Sequence, residues 1–175
     1  TSVLTNRVAY LINEKNVSPY HILAITFTNK AANEMKERIA ALVDYDVSRM
    51  AIATFHSICA RFLRHDAELI GYMNNFTIYD TDDSTALIKK VMQNYDHSLG
   101  QLTPKYVRHV ISMVKNSSRY GEPEEVLKDI SEDFSEPLTQ IYRAYNEALH
   151  RENAMDFDDL LLNMLRVLQE NQEAR

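Results

Sequence analysis

Cysteine is almost missing from this chain. Cys59 stands alone, which excludes an internal disulfide framework and a cysteine-based zinc site. Glycine is nearly as scarce: Gly71, Gly100 and Gly121 are the only three, and there are four prolines. So few breakers favour helices and leave no glycine-rich phosphate loop. No apolar run approaches the roughly 20 residues that span a bilayer. The start, Thr1 to Lys15, mixes Arg7, Asn13, Glu14 and Lys15 into an amphipathic pattern unlike a signal peptide. These absences point to a cytoplasmic protein. What is present is a hydrophobic fraction of 45% with 25% charged residues, too apolar for a disordered chain and unlike collagen. A length of 175 residues suits one ordinary domain, or a compact piece of a larger protein, with a real core.

The net charge of −6 is unevenly placed. Residues 1–64 carry eight Lys/Arg against five Asp/Glu, residues 65–153 nine against fifteen, and residues 154–175 two against five. An acidic total argues against a nucleic-acid partner, but the first segment is locally basic, and phosphate contacts depend on the local patch.

The first 64 residues alternate helix and strand patterns. Leu4, Val8, Leu11 and Ile12 share one helical face, and Pro19 ends that helix. His21 to Thr26 is a short apolar run that suits a parallel strand covered on both faces. Ala31 to Val43 reads as helix, with Glu34 one turn before Arg38. Met50 to Thr54 reads as a second buried strand, and Ser57 to Ile70 as helix. This alternation predicts part of a parallel α/β sheet. Two strands alone leave open edges, so the sheet reads as partial. Beyond His65 the pattern is helical, apart from the extended piece Phe76–Tyr79. Asp80 or Thr81 caps a helix to about Tyr95, and Thr103-Pro104 opens one to about Asn116. Pro123–Ile130 is short. A helix from Ser135 faces inward with Leu138, Ile141, Tyr142, Tyr145 and Leu149, and one from Asp156 with Leu160, Leu161, Met164 and Leu168. The fold class is therefore α/β plus an all-helical insertion, helix-rich overall. The segments are 1–64, 65–153 and 154–175.

Four stretches carry chemistry. The two strands end alike, in Thr26-Phe27-Thr28-Asn29 and Thr54-Phe55-His56-Ser57. Each places hydroxyls and an aromatic at a strand's C-terminal end before a helix, where open α/β sheets bind ligands and helix N–H groups favour anions. Lys30 adds a positive charge, and an exposed phenylalanine can stack on a base. The competing account makes Thr28 or Asn29, and Ser57, simple N-caps and buries both phenylalanines. Asp156-Phe157-Asp158-Asp159 has the carboxylates for Mg²⁺, but also reads as a cap with acids in a first helical turn. His56, Ser57 and Cys59 lie close in sequence, yet no third group is evident to orient a base, and Cys59 reads as a small packed hydrophobe. His97 to Tyr120 contains no acid, and Lys105, Arg108, Lys115 and Arg119 could meet a nucleic-acid backbone or form a solvated face.

The segments Ile22-Leu23-Ala24-Ile25-Thr26-Phe27-Thr28-Asn29-Lys30-Ala31-Ala32, Thr54-Phe55-His56-Ser57-Ile58-Cys59 and Met155-Asp156-Phe157-Asp158-Asp159-Leu160 resemble, in order and spacing, the superfamily 1 DNA helicases of the UvrD/PcrA/Rep type. Val114-Lys115-Asn116 and Pro123-Glu124-Glu125 resemble that family's helical insertion. The resemblance covers essentially the whole chain. It implies an ATP-driven motor that moves 3′ to 5′ on single-stranded DNA and unwinds duplex in DNA repair and replication. Residues 1–64 would be part of the first RecA-like motor domain, 65–153 a duplex-proximal helical subdomain, and 154–175 the return to the motor. Phe27 would contact or stack on a base. Thr26, Thr28, Asn29, Lys30, Thr54, Phe55 and His56 would line the single-strand track. Implied partners are single-stranded DNA, single/double-strand junctions and the remainder of a helicase chain, with no membrane. ATP and Mg²⁺ are the implied cofactors of the whole enzyme. Thr1 would be the last residue of its phosphate loop and a nucleotide/Mg²⁺ contact. Ser2 stands where many relatives carry arginine. The loop's glycines and lysine, the acidic Walker B segment and the second motor domain's arginines are not in the chain. The expectation is that these residues alone neither hydrolyse ATP nor unwind DNA, and hold no catalytic residue. The alternatives are a free-standing helical module that binds nucleic acid or protein without enzymatic activity, and a hydrolase built on His56 or the aspartates.

Overall fold

A computed structural model describes residues 2–48, 50–95, 102–117 and 122–171. The chain divides into two compact units, Thr1–Arg61 and Phe62–Arg175.

The first unit holds α1 (Ser2–Asn13), β1 (Leu23–Thr26), α2 (Asn29–Ala40), β2 (Ala51–Thr54) and the start of α3 (Phe55–Asp66). A short 3-10 turn, Pro19–His21, leads into β1. The buried stripe of α1 is Thr5, Val8, Ala9 and Ile12. It is offset from the expected stripe, and Leu4 faces outward. Thr5 can take the inward place because its hydroxyl donates to the Ser2 carbonyl at 2.9 Å, so no polar group is stranded. The two strands pair in parallel, as the alternation predicts, with Thr26 opposite Thr54. Both strands pack on α2, and α2 packs on α1. Ile12, Ile22, Met35, Ile39, Met50 and Ile52 form the core. Cover on both faces is not found: Leu23 is 52% exposed, because two strands under one helix leave part of the other face open.

The second unit continues α3 through a short 3-10 turn, Ala67–Ile70, which ends at Gly71 with φ +87°. That left-handed backbone favours glycine. Then follow β3 (Thr77–Ile78), α4 (Thr81–Met92), α5 (Pro104–Lys115), α6 (Pro123–Ile130), α7 (Ser135–Arg151), β4 (Ala154–Met155) and α8 (Phe157–Glu170). β4 pairs in parallel with β3, Thr77 opposite Ala154. Two residues carry too little pattern to predict such a strand. The helix starts follow the caps read from sequence. Asp80 accepts from Asp82 and Asp83 N–H, and Thr103 accepts from Tyr106 N–H. The core gathers Ile88, Val107, Val114, Leu127, Ile141 and Leu149 from four helices. On α8, Val167 takes the inward place expected for Leu168. Among the described residues, no helix is long and apolar enough to cross a membrane.

Candidate nucleic-acid interface

The parallel register puts the two similar strand ends side by side. Thr26 and Thr54 are paired partners, so Phe27 and Phe55 are the next residues on neighbouring strands. Adjacent strands lie about 4.8 Å apart, which makes the edge continuous. After Thr26 the chain turns outward. Thr28 adopts extended backbone and caps α2, its Oγ1 accepting the Ala31 N–H at 3.1 Å. After Thr54 the turn is tighter. Thr54 Oγ1 accepts the Ser57 N–H at 3.3 Å, so α3 starts at Phe55, two residues before the expected Ser57.

Capping and exposure therefore coexist at this edge. Thr28 is a cap, as the competing account held, and Thr54 fills the role expected of Ser57. The phenylalanines, however, are not core. Phe27 is 95% exposed and Phe55 49%. Thr28, Asn29 and Lys30 are exposed, Thr54 and His56 are half-buried, and Thr26 is buried. The edge thus offers one fully exposed ring, a second half-exposed ring, hydroxyls, an amide and one ammonium. Chemically it can stack on a flat ring and donate hydrogen bonds to anionic oxygens.

The nucleophile reading finds no support in the geometry. Ser57 Oγ lies 2.8 Å from Thr54 Oγ1, a hydroxyl rather than a base. Burial pushes the Cys59 thiol up, away from the reactive thiolate.

The basic stretch does not form one surface. Lys105 is exposed and Arg108 is half-buried. Arg108 lines a pocket of about 210 Å³ with Asp80, Ser84, Ser112 and Asp158, and its Nε is buried without a partner. Lys115, read from sequence as either a backbone contact or part of a solvated face, is 2% exposed, which removes it from both. The cause is long-range. Lys115 Nζ donates to Asp156 Oδ2 at 2.8 Å and to Asp159 Oδ1 at 2.7 Å, across 41 and 44 residues of sequence. Arg119 and Thr1 lie outside the described residues.

The same contacts explain the aspartate cluster. Asp156 is the N-cap of α8, and Asp156 and Asp159 form a reciprocal capping box. Tyr145 donates its hydroxyl to Asp156 at 3.0 Å, and Asn116 Nδ2 donates to Asp158 at 2.8 Å. Burial disfavours the charge on Lys115, but Asp159 and Asp156 override it and hold the ammonium above its usual value. Two carboxylates share this one ammonium, and they split. Burial opposes ionisation at Asp156, yet Lys115 and the hydrogen bonds hold it below the usual carboxylate value. Burial and the charge of Asp156 push Asp159 up to about 6, against the pull of Lys115. Nothing local to Lys115 marks it as buried, so this clamp has no signal in the sequence.

Residues 1–175 match the sequence profile described as the UvrD/REP helicase N-terminal domain. A protein named ATP-dependent DNA helicase PcrA, from Staphylococcus epidermidis, is 42% identical over 169 residues. That alignment covers 97% of this chain and 23% of the relative. The protein of the same name from Staphylococcus aureus strain Mu50 is also 42% identical, with the same coverage. The chain thus spans about a quarter of the length of the curated relatives it matches.

Proposed function

The chain belongs to the UvrD/REP helicase N-terminal domain family, and from that premise we propose that its strand-end edge is a stretch of single-stranded DNA track in an ATP-dependent DNA helicase. The first unit is read as part of a RecA-like motor domain. The helical body of the second unit is read as its duplex-proximal insertion, with the segment from residue 154 leading back to the motor. Movement 3′ to 5′, duplex unwinding in repair and replication, and a cytoplasmic setting belong to the same reading. The partners are single-stranded DNA, its junctions with duplex, and the remainder of the helicase.

The observation that carries the reading is Phe27. A phenylalanine 95% exposed forgoes the ~1.5–3 kcal/mol that full burial contributes. It sits between hydroxyls and beside Lys30, at the sheet edge where α/β folds bind ligands. A base stacked on the ring would recover that apolar area. Thr28, Asn29, Lys30, Thr54 and His56 would hold the sugar-phosphate, with Phe55 as the neighbouring ring. Lys105 is the exposed candidate for a duplex backbone, with Arg108 less accessible. ATP and Mg²⁺ serve the whole enzyme in this reading. Within residues 1–175 the first glycine is Gly71, so these residues contain no glycine-rich phosphate loop of their own. No phosphoryl-transfer step is therefore assigned to them.

The test is fluorescence anisotropy of a labelled single-stranded oligonucleotide titrated with the chain. Binding is expected, and Phe27→Ala should weaken it roughly 5- to 150-fold, the equivalent of one stacked base. Absent binding, or unchanged affinity in the variant, would overturn the reading.

A further inference from the structure

The residue just before the exposed ring behaves unlike its neighbours. Thr26 is buried while residues 27 to 30 are exposed. Its hydroxyl carries one proton, and that proton is committed: Oγ1 donates to the Thr28 carbonyl at 3.0 Å. The same carbonyl accepts the Ala32 N–H at 3.0 Å, the first bond of α2. The Thr28 side chain in turn caps the Ala31 N–H. Phe27 therefore sits at the tip of a turn tied on both sides. One tie runs to the strand through Thr26, the other to the helix through Thr28.

We infer that Thr26 is a positioning residue for Phe27, not a contact to the DNA strand. Its hydroxyl bridges the turn and fixes the direction of the ring. Phosphate oxygens need donors, and the Thr26 hydroxyl has no second proton to give. A fully exposed phenylalanine on an untied turn would sample many directions, and each base stacked on it would require that freedom to be lost. The tie removes that freedom before the strand arrives. This rests on the proposed DNA track for its purpose, but the tie itself can be read without DNA.

The variants are Thr26→Val, which keeps the branched shape and loses the hydroxyl, and Thr26→Ser, which keeps the hydroxyl. The first readout is chymotrypsin cleavage after Phe27, followed by fragment mass in the full 175-residue chain. Thr26→Val should speed that cut about five-fold, the weight of one ordinary intramolecular hydrogen bond, and Thr26→Ser should not. Global melting should fall by only about 2–8 °C for Thr26→Val, the weight of the same single bond, and stay near the parent for Thr26→Ser. The second readout is a double-mutant cycle on single-stranded DNA affinity. Thr26→Val should weaken binding in the wild-type background and have no further effect in the Phe27→Ala background. A 2-aminopurine base in the strand should also show less quenching at saturation with Thr26→Val. Unchanged cleavage in Thr26→Val overturns the tie. Equal losses from Thr26→Val in both backgrounds would make Thr26 a direct contact and overturn the inference, while leaving the track standing. No DNA binding by the wild-type chain would defeat the track instead, and the cleavage arm would still decide the tie.

Discussion

Two motifs of the same make-up, an aromatic set among short polar residues before a helix, end in opposite environments. At Thr26-Phe27-Thr28-Asn29 the ring is almost wholly exposed. At Asp156-Phe157-Asp158-Asp159 two acids are buried and Phe157 is 48% exposed. Both cap a helix. The difference lies in what else reaches them. Among the described residues, the side-chain hydrogen bonds of Thr26 and Thr28 stay within the first motif's own turn, and the ring is left outside. The second meets Lys115 and Tyr145 from distant helices, and its acids are drawn inside. Similar local chemistry thus yields an exposed edge in one unit and a structural clamp in the other.

The clamp side predicts the largest effect. Lys115→Ala would leave two carboxylates buried without their ammonium. Removal of one partner from a buried pair costs about 3–5 kcal/mol, so urea denaturation should show a loss of that order. A loss below about 1 kcal/mol would place Lys115 with ordinary surface pairs and erase the contrast. Surface pairs do occur here: Glu34 and Arg38 meet at 2.6 Å with both side chains about half exposed, as their spacing suggested.

A pH series sharpens the same side. The folded value of about 6 for Asp159 lies above the ordinary carboxylate value. The folded state then keeps this proton to higher pH than the unfolded chain does. The stability linked to Asp159 is present below its unfolded value and lost as pH rises through about 6. Asp156 is shifted down, so its contribution is present above the unfolded value and lost as pH falls through its folded value. Asp159→Asn should abolish the loss between about pH 4 and pH 6, seen as a difference between the two stability curves. Parallel curves would contradict the assignment.

The smallest expected effect falls on the edge. Lys30 is exposed, and in the proposed track it would make one phosphate contact. Lys30→Gln should flatten the salt dependence of single-strand binding by roughly 0.7 in the log–log slope. Stability should not change. An unaltered slope would remove Lys30 from the track.

Much of this was legible in sequence where the cause is local. The caps at Asp80, Thr103 and Asp156 follow from a short polar residue before an apolar helical pattern, and all three are found. The parallel pair of strands follows from two unpatterned apolar runs joined by a helix. Where the cause lies far along the chain, sequence was mute. Lys115 looked like part of a basic face because its partners are more than 40 residues away. β4 exists because β3 offers it a neighbour, not because Ala154-Met155 is a strand-like pair. The α1 stripe was misplaced because hydropathy favours Leu4 over Thr5, while a hydroxyl bonded within its own helix can be buried. For the site, the strand-end motifs drew attention to the edge, and the folded structure adds how fully Phe27 is exposed.

The central claim is that the Phe27 ring acts by stacking, and side-chain shape can test it. Single-strand affinity would be measured for Phe27→Trp and Phe27→Leu beside the parent. Tryptophan keeps a π face and leucine keeps only apolar bulk. The account predicts that Phe27→Trp binds at least as tightly as the parent and that Phe27→Leu loses most of the affinity. Phe27→Leu binding as well as the parent would contradict it.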